Sequence, residues 1–100
     1  MFSLDGENGM DKSEATAVLD QQLASFVRRS YAELVAIVDQ PQSAQANGPS
    51  GAAYQIEFNV FYDSGRSGDL RIIGSIDDGG LRALMPVTKS EIMKPTGELV

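Results

Sequence analysis

Tyr54, Ile56, Phe58, Val60 and Tyr62 alternate with Gln55, Glu57, Asn59 and Asp63. A helix repeats every 3.6 residues, so this period of two belongs to a strand with one face buried and the other largely solvated. Two further segments carry the same signal: Leu70, Ile72, Gly74 and Ile76, then Leu81, Ala83, Met85 and Val87. Clean alternation on successive short segments is the mark of an antiparallel sheet.

Parity constrains how these strands pair, because a slip of one residue exchanges the two faces. Keeping apolar faces together across the Asp63–Asp69 loop sets Tyr62 opposite Leu70, Val60 opposite Ile72 and Ile56 opposite Ile76. Asp78-Gly79 is a two-residue type I′ turn signal, and a tight hairpin there sets Ile76 opposite Leu81 and Ile72 opposite Met85. Gly74 then faces Phe58 and leaves space for a large helix side chain, for which Phe26 is the candidate. Upstream, Gly48-Pro49-Ser50-Gly51 is turn chemistry, so the polar stretch Gln42–Asn47 reads as an edge strand paired with Tyr54–Tyr62.

The N-terminal part is helical. Asp11 followed by Glu14 is a start signal, with Ser13 as a second candidate cap. Ala15, Leu19, Leu23, Phe26 and Val27 then share one stripe, giving an amphipathic helix that ends near Arg29. Residues 30–39 suit two structures. Ser30 with Glu33 repeats the capping pattern and Pro41 ends it, which favours a short second helix, while Val35, Ile37 and Val38 fit a strand equally well. The expected fold is α+β: one or two N-terminal helices on a four-stranded antiparallel meander, comprising residues 11–100 after a flexible tail of residues 1–10.

Composition narrows the function classes. The chain of 100 residues has no cysteine and no histidine. Thiol nucleophiles, the commonest general base and most transition-metal ligand sets are therefore missing. A non-enzymatic role with no cofactor is the expectation. The formal charge of −6, with Arg28-Arg29 as the adjacent basic pair, argues against nucleic acid and anionic membranes as partners. That pair reads as a helix end complementing its dipole. Met1–Met10 lacks the charged and apolar regions of a secretory signal, which points to the cytoplasm.

Candidate chemistry is sparse. Asp77-Asp78 at one turn and Asp63 with Asp69 around a loop supply too few carboxylates in sequence for a calcium loop, and read as turn residues. Ser64-Gly65-Arg66-Ser67-Gly68 joins two strands rather than opening a helix, so it is not a phosphate loop. The outer sheet face is more informative. In the expected register Phe61, Ile73 and Leu84 form an apolar patch rimmed by Arg71, Arg82 and Glu57. Phe61 lies within cation–π reach of Arg71, and Glu57 pairs with Arg82 across Ser75. A contiguous apolar group edged by charge suggests a protein partner or self-association. The alternative is a small-ligand pocket between helix and sheet, with Tyr54, Tyr62 and nearby acids as polar handles. Pro86–Val100 brings Ile92 and Met93, then Pro95-Thr96-Gly97. This tail is expected to fold back, either covering the outer patch or exchanging between protomers.

The segments Tyr54-Gln55-Ile56-Glu57, Phe61-Tyr62-Asp63, Ile76-Asp77-Asp78-Gly79-Gly80 and Pro86 with Ile92 and Pro95-Thr96-Gly97 resemble a group of small bacterial proteins with an Ile-Asp-Asp-Gly-Gly hairpin. The resemblance spans roughly residues 30–100 and departs at Leu81, where the group has an aromatic. It implies a shared small α+β fold, and implies no activity and no functional residues.

Overall fold

The alternating segment is the second of four strands in the computed structural model, which describes residues 11–65, 68–79 and 86–100. The elements run α1 (Lys12–Phe26), α2 (Tyr31–Val35), β1 (Gln42–Asn47), β2 (Ala53–Tyr62), β3 (Leu70–Asp77) and β4 (Val87–Met93). The strands lie in chain order β1-β2-β3-β4, each antiparallel to the next. This is the expected α+β meander with its helices on one face.

Local chemistry accounts for both helix starts. The Asp11 carboxylate accepts the Glu14 amide at 3.0 Å and caps α1. Ser30 and Glu33 form a complete capping box, at 3.1 and 2.8 Å, so residues 31–35 are helical. Ser30 must be extended to cap α2, and it is (φ −69°, ψ 160°). Helix α1 therefore stops at Phe26, short of Arg29. Past α2 the chain bends at Ile37, and Val38 makes a single parallel bridge to Val60. The β-branched residues of this segment thus contribute one rung of strand.

The β2–β3 register is the expected one, with Ile56 opposite Ile76, Val60 opposite Ile72 and Tyr62 opposite Leu70. One face of the sheet carries Tyr54, Ile56, Phe58, Val60, Leu70, Ile72 and Ile76, all buried beneath Leu19, Leu23, Phe26 and Leu34 of the helices. Each large apolar side chain so buried contributes about 1.5–3 kcal/mol. Gly74 does face Phe58, but the helix side chain that fills the space is Leu19. A Cβ on Gly74 would sit 3.0 Å from Leu19 Cδ1 and 3.1 Å from Phe58 Cε1. Phe26 instead stacks on Phe58, with centroids 4.2 Å apart and planes 14° from parallel.

The last strand differs from expectation. Ile76 pairs with Val87 rather than Leu81, and Ile72 with Glu91 rather than Met85. The Asp77 carboxylate accepts the Gly79 amide at 2.7 Å, and Pro86, which cannot donate to a ladder, lies just outside β4. Met93 occupies the buried place opposite Leu70, at 1% exposure. Leu81, Ala83 and Met85, assigned above to the core face, lie outside the described residues. Between its apolar ends β4 turns Lys89 and Glu91 toward the helix side. Lys89 reaches Asp20 of α1 at 3.4 Å, an exposed pair worth about 0–1 kcal/mol.

Candidate interaction surface on the outer sheet face

Residues of the opposite parity face away from both helices. Pairing places Phe61 beside Arg71 and Arg71 beside Ile92, while Ile73 sits diagonally between Phe61 and Ile92. The chain then turns back after β4. Lys94 and Glu98 close the turn at 2.7 Å, Met93 bridges Leu99, and the Val100 amide donates to the Ile92 carbonyl at 2.8 Å. Val100 therefore extends the row Phe61–Arg71–Ile92 beside β4, and it is 73% exposed. The tail lengthens the patch within the plane of the sheet instead of covering it.

Phe61, Ile73 and Ile92 are half-buried, and no helix lies over them among the described residues. Two of the three apolar residues expected here, Phe61 and Ile73, thus come together. Leu84 and Arg82 lie outside the described residues. The positions opposite Ile73 and Ser75, expected for them from a two-residue hairpin, are taken by Ser90 and Thr88. Ile92, opposite Arg71, supplies the third apolar side chain of the patch, one rung away from the place expected for Leu84. Its signal was its spacing from Met93: an apolar pair in a strand sends one side chain to each face.

The charges around the patch have definite partners. Arg71 Nε donates to Asp63 Oδ1 at 2.8 Å, an ion pair about one-third exposed on each side. Among the described residues the cation–π contact lies elsewhere, with Arg29 over Phe26 at 4.3 Å. Glu57 Oε1 accepts from Asn59 Nδ2 at 3.1 Å. Away from Phe61 the face is polar, with Gln55 opposite Asp77 and Glu57 opposite Ser75. Among the described residues the patch is therefore confined to one end of the sheet.

On the helix side, Tyr62, one of the two expected ligand handles, lies opposite Leu70 and packs partly buried against the core, while Tyr54, the other, and Tyr31 hydrogen-bond within the fold. Tyr31 Oη donates to the Gly68 carbonyl at 2.6 Å and ties α2 to the β2–β3 loop. Tyr54 Oη donates to Glu14 Oε1 at 2.6 Å, and the same carboxylate accepts the Ser50 hydroxyl and amide, each at 2.8 Å. A side chain at Gly48 would fall 2.5 Å from the Glu14 carboxyl carbon, so glycine is what lets the carboxylate reach the turn.

These bonds, from Tyr54 first and then Ser50, hold the Glu14 carboxyl below its usual 4.5. Burial, then the Glu14 contact, pushes the Tyr54 hydroxyl well above its usual 10.0. A lowered carboxyl contributes stability above its unfolded pKa and loses it as pH falls through the folded value. Thermal midpoints should therefore drop on acidification below about pH 4.5, with Glu33, lowered by its Ser30 bonds, adding to the slope. Glu14→Gln should melt lower at neutral pH and show a shallower acid slope. An unchanged slope would contradict the assignment. A raised tyrosine acts in the opposite direction. Its contribution is complete below pH 10 and fades above it, and Tyr54→Phe should remove that alkaline loss.

No protein-family model matches the chain, and neither a curated protein nor a solved structure shows significant similarity to it. No helix among the described residues is long and apolar enough to cross a membrane.

Proposed function

We propose that this chain is a non-enzymatic interaction module of the cytoplasm that associates through its outer sheet face, with a second copy of itself as the first partner. The observation that carries the proposal is the continuity of Phe61, Ile73, Ile92 and Val100 across neighbouring strands and the returning tail. An apolar cluster at one end of an otherwise polar face is the usual form of an interface core inside a polar rim. The Arg71–Asp63 pair at its border offers both charges to a two-fold related copy, whose own pair presents them in reverse order.

Light scattering across a wide concentration range tests this directly. The expected result is twice the monomer mass at high concentration, reverting to monomer in Phe61→Asp with an unchanged thermal midpoint. A wild-type protein that stays monomeric throughout refutes self-association. A Phe61→Asp protein that still dimerises removes this surface from the account.

A further inference from the structure

A cleft of ≈ 200 Å³ opens between the end of α1 and the start of β1, well away from the outer face. Its apolar floor is the stacked Phe26–Phe58 pair, and Arg29 lies over Phe26 with Cζ 4.3 Å from the ring centroid. Arg29 is exposed, and its guanidinium rests on the Phe26 ring, which itself stacks on Phe58. A planar guanidinium stacked on an aromatic ring loses less freedom on meeting a ligand than a free one. The ion pairs among the described residues are Arg71–Asp63 and Lys89–Asp20; Arg29 makes no direct ion pair there, and its charge adds only at longer range to the Ser30 bonds that lower the Glu33 carboxyl.

Gln22 and Ser25 of α1 and Gln42 and Ser43 of β1 complete the polar lining. Gln42 Nε2 is engaged by the carbonyls of Gln40 and Pro41, at 2.8 and 3.4 Å, which leaves its Oε1 as an acceptor. One cation suited to a carboxylate thus stands among hydroxyl and carboxamide groups suited to further hydroxyls. The volume lies below the roughly 300–1,000 Å³ of pockets for drug-sized ligands, so the occupant must be small.

We propose that this cleft binds a small hydroxycarboxylate, with its carboxylate on Arg29, its hydroxyl on Gln42 or Ser25, and its carbon chain against Phe58. The cleft adds a ligand site to the interaction module and does not depend on the outer surface.

The test is an amide chemical-shift titration of the full chain with malate, and with its uncharged diamide as control. The expected result is saturable shifts at Gln22, Ser25, Arg29, Gln42 and Ala44 in the millimolar range, with the diamide weaker by about tenfold or more. Arg29→Met keeps an apolar cover on Phe26 and should lose the malate response. Ser25→Leu, on the exposed helix surface, should block the cleft and lose it independently. Absence of saturable shifts, equal response to the diamide, or wild-type binding by a folded Arg29→Met or Ser25→Leu protein would overturn the proposal.

Discussion

Phe58→Ala is expected to destabilise the protein by about 3–5 kcal/mol, the range for removing a fully packed phenylalanine. The side chain is 4% exposed on a strand with neighbours on both sides. Its ring stacks on Phe26 and passes 3.3 Å or closer to the site of a Gly74 Cβ. Little around it can fill the space, because Gly74 has no side chain to extend. For a chain of this length the thermal midpoint should fall by on the order of 20 °C. A drop of only a few degrees would mean that the helix end closes over the cavity.

The reverse experiment fills the same place. Gly74→Val should cost about 1–3 kcal/mol or more, since even its Cβ lies at 3.0 Å from Leu19 Cδ1 and the two methyl groups have no room. Gly74→Ala is the milder case, because relief of glycine's entropy cost in a strand, roughly 0.5–1 kcal/mol, offsets part of the crowding. The decisive comparison is the double variant Gly74→Val with Leu19→Ala. If Leu19 is the obstructing group, the pair should be more stable than the sum of the single losses predicts, by at least about 0.5 kcal/mol in denaturant titration. Strict additivity would show that the crowding is with the Phe58 ring instead.

Whether a feature was legible in the sequence followed the range of the physics that sets it. The β2–β3 register follows from parity alone, so Ile56, Val60 and Tyr62 found their partners. The Ser30–Glu33 box is local and decided between helix and strand at residues 31–35. Strand β4 was misplaced because Val87–Met93 reads as polar. Its middle carries Lys89 and Glu91 where the sheet passes the border of α1, and only its ends enter the core. The Asp78-Gly79 signal drew the preceding segment into that place. The partner of Gly74 depended on how α1 is rotated about its axis, which separates Leu19 from Phe26 and which stripe spacing cannot resolve. The outer patch was half legible for the same reason as the strands that carry it. The Arg29 cleft left no sequence signal, since its two walls meet only after the helix docks.

The Glu14 carboxylate has a kinetic consequence as well as an equilibrium one. Its bond to Tyr54 spans 40 residues and encloses both helices, the edge strand and the first turn in a single closed segment. Such a closure gains nothing until everything inside it is already in place. The β1–β2 hairpin and α1 are each built from local contacts, so the latch between them should close late on the way to the native state and open early on the way out. Substitutions there should act mainly by hastening unfolding and leave the folding rate nearly untouched. Residence time in the native state would then be adjustable at one surface carboxylate, with no change to the core.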